Sequence, residues 1–166
     1  ILQENLGYYI SLYDTWSSYK PEAEGVFIAY ASIHGNTANA ACAIADMFRA
    51  AGVKVSLADL SRDDMAEAIE DAFKYDRMIV AASSYDGDLF PPMYDFLHHL
   101  QLKNYQNRKV GLVENGSWAP SAGRVMRKML EEMKDITIAS PMVTLRSALK
   151  PSDMERVQTL VTEMSK

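Results

Sequence analysis

The chain has 166 residues, 48% hydrophobic and 23% charged, a composition that fits one soluble globular domain with an ordinary core. The formal net charge is -5 with no basic block, which argues against nucleic acid as a partner and would favour a small basic redox protein. No apolar run is long enough to cross a bilayer. The single cysteine, Cys42, excludes a disulfide within the chain and makes a reducing cytoplasm the expected compartment. No signal-peptide pattern is present, and a start at Ile1 without methionine suggests a fragment of something longer.

Residues 1–24 read as a helix and a linker. Leu2, Leu6, Tyr9, Ile10, Tyr13 and Trp16 recur at helical spacing, and S-S-Y-K-P-E-A-E closes the segment. Two readings stay open: an extra helix docked on the domain, or a helix that packs against another domain. Residues 25–166 form the main domain. Val26–Ala31 is a strand, and a helix follows over Thr37–Ala51 with Ala40, Ala41, Ile44, Ala45 and Phe48 on one face and Gly52 as its stop. Cys42 is expected as a small core residue of that helix. Val53–Ala58 is the second strand. Ser61 to Asp64 resembles a capping box that opens a helix through Phe73. Met78–Ser83 is a buried strand, and Pro91-Pro92 start a helix to about Leu102 with Phe96, Leu97 and Leu100 inward. Val110–Glu114 is the fourth strand, and Ser121–Met133 a helix with Val125, Met126, Met129 and Leu130 inward. Pro141 interrupts the segment Ile136 to Leu145, which reads as an edge strand. Ser152 with Glu155 forms a capping box for a last helix that buries Val157, Leu160, Val161 and Met164.

Five strands alternating with helices predict an α/β, doubly wound parallel sheet of order 2-1-3-4-5, with the N-terminal helix added to it. Ligands of such sheets bind at the carboxyl ends of the first and third strands. Three loops meet there. S-I-H-G-N-T opens a helix, whose unpaired N–H groups and partial positive charge can hold a phosphate without lysine or arginine, unless the loop is an ordinary strand-to-helix turn. Ser32, Asn36 and Thr37 add side-chain donors, and Gly35 allows close backbone approach. The absence of a lysine excludes an NTPase P-loop. The second loop, S-S-Y-D-G-D-L-F-P-P, offers Tyr85 or Leu89 to one face of a flat ring. The third, N-G-S-W-A-P-S-A-G, offers Trp118 to the other, unless Trp118 only anchors its loop.

These three motifs resemble the flavodoxin-like domain of flavodiiron proteins (A-type flavoproteins): S-I-H-G-N-T at Ser32 to Thr37, S-Y-D-G-D-L-F-P-P at Ser84 to Pro92, and E-N-G-S-W-A-P-S-A-G at Glu114 to Gly123. L-Y-D-T-W-S-S-Y at Leu12 to Tyr19 is similar to the connector that links that domain to a metallo-β-lactamase-like domain. Ser83-Ser84 in place of Pro-Thr, Asp88, and Ala119-Pro120 depart from the family pattern. The resemblance implies noncovalent FMN. Ser32, His34, Gly35, Asn36 and Thr37 would hold its phosphate. Ser84, Tyr85, Asp86, Gly87 and Leu89 would line one side of the ring, and Asn115, Gly116, Ser117, Trp118 and Ala119 the other. Asp86 and Asp88 would lower the flavin potential, and a peptide reoriented at Gly87 would offer a carbonyl to the reduced ring. In the family, electrons come from rubredoxin or a reductase and pass to a diiron centre that reduces oxygen or nitric oxide, in a head-to-tail homodimer. On this resemblance the chain would hold only the flavin half. No metal is expected, since His34 sits in the phosphate loop and His98-His99 are helix neighbours that do not share a face. Two other functions remain: a flavodoxin-like NAD(P)H or quinone oxidoreductase, and a redox-silent interaction module of the same fold.

Overall fold

A computed structural model of the chain describes residues 3–166. The elements in chain order are α1 (Leu6–Ser17), β1 (Ala23–Ala31), α2 (Asn36–Ala50), β2 (Val55–Asp59), α3 (Met65–Lys74) and β3 (Tyr75–Tyr85). There follow β4 (Asp88–Leu89), α4 (Pro91–Leu102), β5 (Arg108–Asn115), α5 (Ala122–Glu131), β6 (Ile136–Ile138), β7 (Val143–Leu145) and, after a 3-10 turn, α6 (Met154–Met164). The sheet runs β2-β1-β3-β5-β6, with β7 also parallel to β5. β6 and β7 are two pieces of one interrupted edge strand, broken at Ser140-Pro141 where proline has no N–H to give the ladder. Counted as one, they complete the order 2-1-3-4-5, and the fold is flavodoxin-like.

Alternation along the strands sorts the core onto two faces. Phe27, Met78, Val80 and Leu112 pack with α3, α4 and α5, through side chains such as Ala68, Phe96, Leu97 and Met126. Val26, Ile28, Ile79 and Val113 pack with α2 and α6, through Ile44, Phe48, Leu160 and Met164. Covered on both faces, the central strands need no polar side, which is why they read as continuous apolar runs.

Several local expectations are corrected. Cys42 is exposed and not in the core. The buried stripe of α2 is Ala40, Ala41, Ile44, Ala45 and Phe48, and residue 42 lies about 100° further round the helix than residue 41. α3 is capped by Asp64, whose carboxylate accepts from Ala66 N at 2.7 Å. Ser61 instead sits in a turn set by Asp59, which accepts its N–H at 3.0 Å. Ser152 does not cap α6: Pro151–Asp153 form the 3-10 turn, and the Asp153 carboxylate accepts from Lys150 N at 2.9 Å. β4 is a strand the sequence reading lacks. Tyr85-Asp86-Gly87-Asp88 closes a two-residue hairpin, and both central residues have positive φ (50° and 73°), the geometry that favours Asp-Gly.

The predicted Leu2 lies outside the described residues. α1 buries none of its residues, and Leu6, Tyr8, Tyr9, Ile10, Tyr13 and Trp16 are all exposed. Its exit is fixed instead. The buried guanidinium of Arg108 donates to the Tyr19 carbonyl at 2.8 Å, and also to those of Tyr75 (2.9 Å), Phe73 (2.7 Å), Gln106 (3.2 Å) and Asn107 (3.1 Å).

Beside Arg108 stands Tyr105, in edge contact with Phe73 at 5.3 Å between ring centroids. Its hydroxyl is buried without a hydrogen-bond partner among the described residues, and burial pushes its pKa up. A buried unpaired hydroxyl is a cost, so Tyr105→Phe is expected to stabilise the chain by about 1 kcal/mol in urea unfolding. The raised pKa also sets a sign. Its contribution is complete below the unfolded tyrosine value near 10.0 and is lost as pH rises above it. The phenylalanine variant is therefore expected to unfold less readily than the parent above that pH. Equal stability at neutral pH and an equal alkaline loss would contradict this assignment.

Candidate functional site

β1 ends at Ala31, and the chain turns over Ser32–Gly35 into α2. Gly35, at φ 84°, is the residue before the helix, a conformation that glycine adopts at little cost. Its N–H donates to Ser32 Oγ at 3.0 Å, which closes the turn. No side chain caps α2, and its first internal bond is Asn39 N to the Gly35 carbonyl at 2.9 Å. The amides of Asn36, Thr37 and Ala38 therefore have no partner inside the helix and mark its positive end. Thr37 is buried, with Oγ1 3.0 Å from Ser83 Oγ at the end of β3.

A cavity of about 180 Å³ opens at this point, between the carboxyl ends of β1, β3 and β5. Of the predicted residues, Ser32, His34, Asn36 and Thr37 line it from the first loop, Ser84 from the second, and Asn115, Gly116 and Ser117 from the third. Ile33, Ser83 and Ser147 join them, and among the described residues no lysine or arginine does. Ser83 is next to a residue named from sequence. Ser147 comes from a fourth loop, after β7. The carboxyl-edge rule would have reached it had the interrupted fifth strand been given a loop of its own.

Side-chain bonds knit the loops together. Ser84 Oγ accepts from Ser121 N at 2.8 Å and from Ala122 N at 3.2 Å, so it caps α5. With those two bonds accepted, its own proton is left to donate. Ser121 Oγ donates to the Asp88 carbonyl at 2.7 Å and ties the hairpin to the third loop. Asn115 donates Nδ2 to the Ser147 carbonyl at 2.9 Å and accepts Ser147 N at 3.0 Å. Ser117 and Ser147 hydroxyls lie 3.0 Å apart. Gly116 is where these loops touch. A Cβ there would stand 3.0 Å from Pro120 Cα and 3.0 Å from Ser84 Oγ. Below them the buried Glu114 carboxylate accepts from Gly123 N and from Thr144 Oγ1, both at 2.8 Å.

The other predicted residues stand away from the cavity wall. Gly35 acts through the turn. Tyr85, Asp86 and Gly87 form the exposed hairpin tip, with Tyr85 leaning on Phe90 at 5.8 Å between centroids. Trp118 is 95% exposed and Ala119 is exposed beside it. Leu89 pairs with Ser84, and its side chain is buried in the core. Asp88 spends a carboxylate oxygen on Leu89 N at 2.8 Å. Among the described residues no group of three metal-ligating side chains occurs, and no helix is long and apolar enough to cross a membrane.

The donor set fits the phosphate end of a mononucleotide: free helix amides, hydroxyls and a side-chain amide, all neutral. The cavity is too small for the whole of FMN. Its lining suits a phosphate and the chain attached to it.

The family model for flavodoxin matches residues 28–156. Comparison with curated proteins returns no significant sequence match. Among solved structures, rubredoxin oxygen:oxidoreductase from Desulfovibrio gigas superposes with a TM-score of 0.88 at 19% identity, over 96% of this chain and 39% of that one. The flavodiiron protein of Giardia intestinalis gives 0.85 at 16% identity, over 98% and 40%. A flavodoxin of Streptococcus pneumoniae TIGR4 gives 0.74 at 26% identity, over 86% of this chain and 98% of its own. The chain thus spans about two-fifths of the length of the first two structures.

Proposed function

The chain belongs to the flavodoxin family, and from that premise we propose that it is an FMN-binding electron-transfer domain. The observation that carries this is the cavity at the switch point of the sheet, built from open α2 amides and neutral donors of four loops. Ser32, Asn36, Thr37 and the α2 amides hold the phosphate. Ser83, Ser117 and Ser147 stand near the chain that leads to the ring. Bound flavin supplies the redox chemistry. This chain orients the flavin, limits water at its ring and sets the local charge. Asp86 and Asp88 at the hairpin disfavour added negative charge on the ring, and so lower its potential.

We further propose the flavodiiron context: electrons enter from a rubredoxin-like protein or a reductase and leave to a diiron, metallo-β-lactamase-like domain, in a head-to-tail homodimer within the cytoplasm. The N-terminal segment supports this over a stand-alone carrier. The longer structures match 96% and 98% of this chain, whereas the stand-alone flavodoxin matches 86%. α1, apolar and unburied, suits a chain in which another domain covers it.

Trp118 gives a direct test of the ring position. If it lies against the flavin, Trp118→Ala is expected to weaken FMN binding by about 1 kcal/mol, the worth of one aromatic contact. Flavin emission, quenched in the parent, is expected to recover. An unchanged dissociation constant and unchanged emission, in a fluorescence titration, would leave Trp118 as a loop anchor.

A further inference from the structure

Two helix N-termini stand at the carboxyl edge of the sheet, and they differ. That of α2 has no side-chain cap and no acid in its first turn. That of α5 is filled from within the chain. Ser121 N and Ala122 N donate to Ser84 Oγ, and Gly123 N donates to Glu114 Oε2 at 2.8 Å. Glu114 ends β5 with only 5% exposure, and its other oxygen accepts from Thr144 Oγ1 of β7 at 2.8 Å. The arrangement depends on glycine at 123, where a Cβ would stand 2.8 Å from Glu114 Oε2 and 2.5 Å from Met142 Sδ. Among the described residues Glu114 takes part in no ion pair. Arg124, Arg127 and Lys128 line a groove on its outer side, where water and salt reach them. The end of α5 itself carries only about half a positive charge. A net negative charge therefore stays buried under the third loop. It lies one peptide unit from Ser84, and so from the cavity wall.

We propose that Glu114 is a positioning residue that also sets the potential of the bound flavin, an inference that rests on the FMN reading. Its two bonds tie β5, α5 and β7 together behind the third loop. They thereby fix Asn115, Gly116 and Ser117, which follow it directly in the cavity wall. Its charge acts on the ring. Two electrons and one proton added to oxidised FMN leave the ring with one negative charge. A buried carboxylate close by disfavours that charge, so reduced FMN is held less tightly relative to oxidised FMN, and the potential falls. The exposed Asp86 acts with the same sign, but salt screens it. Glu114 is out of water and is screened much less.

The test is Glu114→Gln. Glutamine keeps the shape and an acceptor for Gly123 N, and its amide can donate to Thr144 Oγ1. Fluorescence titration gives the affinity for oxidised FMN. Reductive titration with dithionite, at low and at high salt, gives the potential of the bound flavin and hence the affinity of the reduced state. The ratio of reduced-state to oxidised-state affinity is expected to rise at least about threefold, and the rise is expected to persist at high salt. Asp86→Asn is expected to shift the ratio in the same direction, by an amount that shrinks with salt. Glu114→Met combined with Thr144→Val removes the charge and its hydroxyl partner together, and is expected to give the same ratio should the glutamine variant fold poorly. Equal losses of affinity in both redox states would make Glu114 a packing residue and overturn the proposal. A shift that salt abolishes would overturn it too. A parent chain that binds no FMN would remove the FMN reading itself, and this inference with it.

Discussion

Asn36→Asp is expected to stabilise the free chain and to weaken FMN binding on the order of a thousandfold. Asn36 is the first residue of α2 and lines the cavity. The first turn of α2 contains no acid, and Gly35 supplies no side-chain cap. A carboxylate there meets the positive end of the helix and is worth about 0.3–1 kcal/mol to the fold. The same carboxylate faces the phosphate. At a separation near 4 Å, with an effective dielectric constant of about 20, two unit charges repel by about 4 kcal/mol. Riboflavin has no phosphate and should bind the variant as it binds the parent. Thermal unfolding and parallel titrations with both ligands check the two signs. Equal losses for FMN and riboflavin would mean that the substitution had damaged the site generally.

Arg108→Met is expected to cost about 3 kcal/mol or more in urea unfolding and to release the N-terminal segment to protease. Arg108 is only 3% exposed and has no carboxylate partner among the described residues. Its guanidinium serves five carbonyls, from the α3–β3 junction, the turn before β5 and the linker at Tyr19. Burial already draws its pKa down, and a bond from a charged donor is worth about 1.5–3 kcal/mol, so removal leaves several buried acceptors short of partners. Methionine keeps the stem volume, which separates lost hydrogen bonds from a simple cavity. A loss under about 1 kcal/mol, with no gain in cleavage near Tyr19, would show that those carbonyls find water instead.

The parts of the fold that were legible in the sequence share one cause. β1, β3 and β5 are buried on both faces, so their apolar runs are long, and the helices between them carry clear stripes such as Phe96, Leu97 and Leu100. The switch-point rule then placed the first three loops without any coordinates. What was missed depends on angles and partners that spacing does not carry. Cys42 is a single helical step off the buried stripe, and an alanine-rich helix gives no contrast to show it. Leu89 lies in a stretch with no strand periodicity, and only the Asp86-Gly87 hairpin reveals which way its side chain turns. Ser61 and Ser152 have capping-box neighbours, yet Asp59 and Pro151 impose local turns that move the helix starts to Met65 and Met154. Ser147 carries no sequence signal of its own, because Pro141 breaks the edge strand and blurs where its carboxyl end lies.

Parallel titration of the purified chain with FMN and riboflavin tests the central claim most directly. The account predicts that FMN binds at least about a hundredfold more tightly, since riboflavin forfeits the α2 amides and the donors of Ser32, Asn36 and Thr37. FMN emission is also expected to be quenched on binding, and the melting temperature to rise with the logarithm of the FMN excess over the dissociation constant. Equal affinity for the two flavins, or no binding of either, would contradict the account.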